Sequence, residues 1–163
     1  MQGVLVLSSD RQPLDPCHPA RARRLLGRRR AAVFRHYPFT IILKERTAAE
    51  SVTHAHRVKL DPGSRTTGIA VVQESTARVV WAAELAHRGQ HIHQRMRERS
   101  AVRRSRRQRK TRYRPARFLN RRRREDWLPP SLESRVANIA TWVARLRRFV
   151  PVTALSVETA KFD

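Results

Sequence analysis

Asp61 and Glu158 are the residues whose type and position suggest chemistry. Each closes a short apolar run, Val58-Lys59-Leu60-Asp61 and Val152 to Glu158, so each reads as a carboxylate at the end of a β-strand. Hydrolysis of a phosphodiester by two divalent ions about 4 Å apart needs carboxylates that converge from different elements. Mg²⁺ suits such a site because it prefers hard oxygen ligands and keeps some of its water. An acid at a strand end is by itself ordinary, since solvated strand-end carboxylates are common; what surrounds these two decides the reading. A third acid is harder to find. Asp163 follows Glu158 too closely, and Glu84 lies on a third strand whose end is expected to point away from the other two, so the site reads as incomplete.

The context is cationic. Residues 88–124 hold 17 Arg and Lys, sixteen of them Arg, against one acid, Glu98. From Gln90 to Arg112 there is no Gly or Pro and good helix formers dominate, which predicts a helix of about six turns. Arg95, Arg99, Arg103, Arg106, Arg107, Lys110 and Arg114 fall in one stripe, while Arg97, Arg104 and Arg112 point elsewhere. A helix polar all round lacks a core face. The planar guanidinium fork suits phosphate oxygens two at a time, so the preference for Arg over Lys favours phosphate recognition over loose charge. The candidate phosphate contacts are Arg95, Arg99, Arg103, Arg104, Arg106, Arg107, Arg109, Lys110, Arg112, Arg114, Arg117, Arg121, Arg122, Arg123 and Arg124. The plainer reading is a disordered basic tail, but tails usually sit at a terminus and mix in Lys, Gly and Ser.

The whole chain agrees with a nucleic-acid partner. Its 163 residues carry a formal net charge of +23, of which residues 88–124 supply +16 and the other 126 residues +7. Such a field implies a polyanion, with affinity that falls as salt rises. A membrane is not the expected partner, because there is neither an 18-residue apolar run nor a helix with a broad apolar face. The single cysteine, Cys17, excludes an internal disulfide framework. The N-terminus has no basic n-region and only a short apolar run, so a cytoplasmic chain is expected.

The elements that must position the acids read as follows. Val4 to Leu7 is an edge or hairpin strand; Pro13, Pro16 and Pro19 give an extended connector; Ala20 to Arg30 is a short helix ended or weakened by Gly27, with two leucines and six arginines, more a second phosphate contact than a core element. Ala31–His36 and Phe39–Lys44 are strands whose Val33, Phe34, Phe39, Ile41, Ile42 and Leu43 form a thin apolar nucleus, followed by a polar linker. Three strands with short connections, Val58–Asp61, Thr67–Gln73 and Arg78–Leu85, make an antiparallel meander. Gly63 and Gly68 are expected to let a nucleic-acid backbone approach. After the basic stretch, Ser131 is placed to cap a helix with Glu133 in its first turn. Leu132, Val136, Ile139, Val143, Leu146 and Val150 form a stripe that predicts packing along its length. Val152 to Glu158 suits a buried central strand reached by crossover. Trp81, Trp142 and Phe149 are expected in the core, whereas Tyr113, Phe118 and Trp127, interleaved with arginines, are candidates for stacking on nucleotides. The pairs His54/His56 and His91/His93 do not make a zinc site of four ligands at usual spacing. The order β-β-β-α-β, with acids closing the first and fourth strands, is the start of an α/β, ribonuclease H-like fold.

At these residues the chain resembles the N-terminal part of the IscB family, transposon-encoded RNA-guided nucleases regarded as ancestral to the type II CRISPR effectors. Pro13-Leu14-Asp15-Pro16 resembles the PLMP motif, with Asp15 in place of the usual Met. Lys59 to Gly68 resembles the first RuvC motif, Arg103-Arg104-Ser105-Arg106-Arg107 the RRXRR signature of the bridge helix, and Ser156-Val157-Glu158 the second RuvC motif. The resemblance implies an incomplete RuvC fold, a bridge helix gripping a guide RNA, target DNA as substrate, and Asp61 and Glu158 as catalytic residues and ligands of two Mg²⁺ ions. It implies segments 1–50 (a small β-rich lobe), 56–86 (first RuvC segment), 87–125 (bridge helix and basic loop) and 126–163 (second RuvC segment), in a bacterial or archaeal cytoplasm. The sequence stops where an HNH insertion would begin and lacks the third RuvC motif, as a fragment or a natural truncation would; alone it is expected to bind RNA and cut nothing. The alternatives are a non-catalytic RNA-binding protein of ribosomal type and a self-sufficient small nuclease.

Overall fold

The computed structural model describes residues 2–109 and 124–159. It is a mixed α/β chain with two four-stranded sheets and three helices among the described residues. The chain divides into two compact units, residues 1–86 with 139–163, and residues 87–138.

In the first unit, β1 (Val4–Leu7), β2 (Pro13–Cys17), β3 (Ala31–Arg35) and β4 (Thr40–Leu43) form a sheet in the order β2-β1-β4-β3, with β1 parallel to β4 and the other pairs antiparallel. Two expectations fail here. β1 forms the expected hairpin with β2, but it is an inner strand rather than an edge, with all four residues buried. Val4 and Val6 pack in one apolar cluster with Leu14, Ala22, Ala31 and Ile41, while Leu5 and Leu7 enter the other. An uninterrupted apolar run is what a strand covered on both faces needs. The proline-rich stretch is not a connector: Pro13–Cys17 is the edge strand β2, where rings that cannot donate to a ladder are tolerated. Half of the expected nucleus holds: Ile41 is buried and Ile42 and Leu43 pack partly against the cores, whereas Val33, Phe34 and Phe39 are exposed and β1 supplies the remaining burial.

The second sheet carries β5 (His56–Pro62), β6 (Thr66–Gln73), β7 (Arg78–Ala86) and β8 (Val152–Val157) in the order β7-β6-β5-β8. The first three are the antiparallel meander, and β8 joins parallel to β5. Inward residues alternate along β5 and β6: Val58, Leu60, Ile69 and Val71 are buried and meet Trp81, Leu146, Phe149 and Val150. Leu5 and Leu7 join that cluster, so both sheets share one core. Trp142 also packs against it, stacked on Trp81 at 6.2 Å between centroids. At Gly3 the chains come close enough that a Cβ would sit 2.5 Å from the Val80 carbonyl oxygen, and the Gly3 N–H donates to that oxygen at 2.7 Å.

Two further corrections concern α3 (Pro130–Arg147) and β8. Pro130 is the first helical residue and Ser131 lies inside the first turn; the N–H groups of Leu132 and Glu133 donate to the Pro129 carbonyl. Proline fits that position because its missing N–H has no partner there anyway. The apolar stripe is buried over part of its length: Leu146 is fully buried, while Leu132 and Val136 are 38% and 58% exposed. Periodicity tells which side chains share a face, not how far the partner surface reaches. β8 is an end strand of the described sheet and alternates, with Leu155 and Val157 about half exposed, at 50% and 49%. Its mostly apolar composition favours two covered faces, but Thr153 and Ser156 break the run.

The second unit contains α2 (Gly89–Gln108) and the beginning of α3. No helix among the described residues is long and apolar enough to cross a membrane.

Candidate functional site

The acids converge through register. In the β5–β6 ladder Asp61 stands opposite Gly68, and in the β6–β7 ladder Gly68 stands opposite Glu84. On the other side Leu60 pairs with Val157, and the Glu158 N–H donates to the Leu60 carbonyl at 2.9 Å, so Glu158 comes level with Asp61 on the neighbouring strand. Directly opposed residues point to the same face of a sheet. Glu84, Gly68, Asp61 and Glu158 therefore form a row across four strands. At about 4.8 Å per strand, Asp61 and Glu158 are neighbours, and Glu84 is about 10 Å from Asp61 across the glycine.

This row corrects the expectation about Glu84. Two reversals restore a strand's direction, so β7 runs the same way as β5 and Glu84 lies at the same end as Asp61. All three acids line one open depression of about 680 Å³ on the outer face of the sheet, together with Lys59, Ala70, Ala82 and Ser156. The small side chains leave a flat floor, and Lys59 is exposed beside the acids. Ser156 accepts a hydrogen bond from Arg57 at 2.9 Å, and Arg57 is paired with Glu74 at 2.8 Å.

The two glycines differ. A Cβ on Gly68 would rest 3.5 Å from the Asp61 Cβ and 3.8 Å from Asp61 Oδ2, an ordinary contact, so this glycine keeps the space beside the carboxylate open. A Cβ on Gly63 would sit 2.4 Å from the Thr66 carbonyl oxygen; its own turn requires the glycine.

No three His, Cys, Asp or Glu side chains among the described residues are gathered closely enough to hold a metal ion. Asp61 and Glu158 are two carboxylates, fewer than the set of ligands that a two-ion phosphodiesterase site needs. The histidines serve other contacts. His54 is hydrogen-bonded through its ring to Asp15, whose other oxygen accepts the His54 backbone N–H at 2.9 Å. Asp15 thereby ties β2 to the approach to β5. His56 is buried with Nδ1 2.9 Å from the His54 carbonyl, and burial lowers its pKa.

In the second unit, α2 realises the basic helix from Gly89 to Gln108. Arg95, Arg97, Arg99, Arg103, Arg104, Arg106, Arg107 and the following Arg109 are all exposed. Among them Arg95 pairs with Glu98, at 3.6 Å, and Glu98 also accepts a hydrogen bond from Gln94 at 3.2 Å. One carboxylate cannot neutralise eight guanidinium groups, and α2 offers no apolar face. Arg124 is exposed as well, and so is Trp127. Lys110, Arg112, Arg114, Arg117, Arg121, Arg122 and Arg123, with Tyr113, Phe118 and Asp163, lie outside the described residues.

A model of the family described as RRXRR protein matches residues 4–163. The chain belongs to the RRXRR family. No curated protein matches the chain. The Arg103–Arg107 signature of this RRXRR chain sits entirely on exposed helix, in the half of α2 farthest from Gly89.

Proposed function

We propose that this chain is the RNA-binding and split-RuvC portion of an RNA-guided DNA endonuclease of IscB type. The observation that carries the reading is the row in which Asp61 and Glu158 stand side by side at one end of a sheet ordered β7-β6-β5-β8. Three antiparallel strands followed by a fourth parallel to the first are the opening of a ribonuclease H-like fold, and membership of the RRXRR family supports the nuclease association. The ribosomal-type alternative gains nothing from that match.

In this reading the arginines of α2 and of the following segment hold a guide RNA by its phosphates, and base pairing between guide and target supplies the sequence specificity. The depression takes the DNA strand to be cut. Gly68, Ala70 and Ala82 let the sugar-phosphate backbone lie close to the sheet, while the exposed Lys59 ammonium attracts it. Asp61 and Glu158 are the ligands this chain gives to Mg²⁺, which supplies Lewis-acid activation of the phosphodiester and of water. Glu84, on the same row, orients water or a third cation ligand from the far side of Gly68. Two carboxylates are too few for a two-ion site, so the reading requires ligands besides this pair.

Asp61→Ala tests the assignment in the full nuclease, with the segments that complete the RuvC fold present. Nicking of a guide-matched DNA falls more than about 100-fold, beyond the loss caused by removing a residue that only supports a metal ligand, while RNA affinity is unchanged. Nicking that survives the substitution sinks the nuclease reading; RNA that fails to copurify with the chain sinks the guide reading.

A further inference from the structure

The first unit carries a second concentration of charge, remote in sequence from α2. Residues 16–44 contain seven arginines, one lysine and no acid. Their centre is α1 (Pro19–Gly27), which begins with the His18 side chain accepting from the Ala20 N–H at 3.2 Å. Ala22 is buried, and Leu25 and Leu26 pack partly against the same apolar cluster, which fixes the helix on the first sheet by one face. Arg21, Arg24 and Arg28 project from the remaining surface and, with Arg30, surround a depression of about 340 Å³ beside Leu25.

The end of α1 is built to keep arginines there. The N–H groups of Arg29 and Arg30 donate to the carbonyls of Leu26 and Leu25, both at 3.0 Å, which is the paired closure of a helix C-terminus with Arg29 in the left-handed position. Arg29 has φ 56°, a conformation that costs a side-chain-bearing residue about 1 to 2 kcal/mol and that glycine adopts freely. Such closures usually carry glycine at this position, yet here it is filled by arginine, and Gly27 stands two residues earlier. A single cation suffices to answer the helix dipole, about half a charge; four guanidinium groups line the depression. The nearest carboxylate, Glu45, is 3.9 Å from Arg30, with both side chains largely exposed.

The spacing of the arginines favours a polyanion. Arg21 and Arg28 are about 10 Å apart along the helix at 1.5 Å per residue, a span over which a phosphodiester chain presents more than one negative charge. A repeating anion lattice matches this row better than a lone carboxylate does. A lipid surface is disfavoured because Leu25, the apolar side chain lining the depression, is itself partly buried against the apolar cluster with Leu26, so no exposed apolar group stands beside the arginines to insert.

We propose that α1 and the turn Gly27–Arg30 bind the phosphodiester backbone of RNA, as a second anchor independent of α2; that the polymer is RNA rests on the function proposed above. The test measures affinity of the whole chain for a structured RNA duplex across a salt series. Arg21→Ala, Arg24→Ala and Arg28→Ala together lower the slope of log K against log salt by about 2 to 3, one phosphate contact being worth about 0.7 to 0.9. The corresponding triple Lys variant restores the slope, and far-UV circular dichroism stays unchanged for both. A slope unaltered in the Ala variant while Arg103→Ala, Arg106→Ala and Arg107→Ala lower it overturns the α1 anchor and leaves the function standing. No RNA binding by any form, the unmutated chain included, overturns both. A loss confined to duplex DNA of the same length overturns the assignment to RNA.

Discussion

The acid row and the arginine helix reach their arrangements by opposite routes. On α2 the spacing of residues along the chain already decides which side chains neighbour each other, and the surface follows from local geometry. Glu84, Asp61 and Glu158 are scattered over three strands and become neighbours only when two ladders and a crossover set their register. Negative charge gathered by tertiary structure is therefore sensitive to core packing, whereas positive charge gathered by a helix survives it.

Breaking the helix side has the largest expected effect. Arg103, Arg104, Arg106 and Arg107 all changed to Ala lower the salt slope of RNA binding by about 3, measured by filter binding, with no change in melting temperature, since all four are exposed. The sheet side is sharpened by Leu146→Ala, which removes a fully buried side chain and costs about 2 to 5 kcal/mol in urea unfolding. Val136→Ala, on the same stripe but exposed, stays within about 0.5 kcal/mol. A similar cost at both positions breaks the claim that the stripe is covered only in its second half.

That contrast also marks what the sequence makes legible. The β-β-β-α-β order, α1 and α2 follow from apolar runs, Gly and Pro, and helix propensity. Register relations are not in any run. The direction of β7 needed two reversals counted correctly, and the exposure of Leu155 and Val157 depended on what covers the sheet. The inner placement of β1 was readable, because Val4-Leu5-Val6-Leu7 has no polar alternation, and β2 was hidden by prolines that an edge tolerates. The signal for Glu84 was the antiparallel meander itself: residues on its first and third strands that face one β6 residue share a row.

Glu84→Gln gives a smaller effect than Asp61→Ala, a fall in nicking of about 10-fold with RNA affinity intact; wild-type rates remove Glu84 from the site. The smallest effect concerns His56. Burial lowers its pKa, so the folded chain prefers the neutral ring and its contribution to stability is complete above the ordinary histidine value of 6.5. Acidification from that value down through the lowered one protonates the unfolded chain first and removes the contribution. Melts at pH 7.5 and 5.5 show lower stability at the acid end, and His56→Gln flattens the difference.

The bare margin at β8 has a practical consequence. Among the described residues this strand is paired on one side only, and it carries two half-exposed aliphatic side chains. Such a border is adhesive toward other chains, and it is the +23 charge that holds copies apart in dilute buffer. Added salt screens the repulsion that keeps protomers separate, so self-association is expected to appear at high ionic strength.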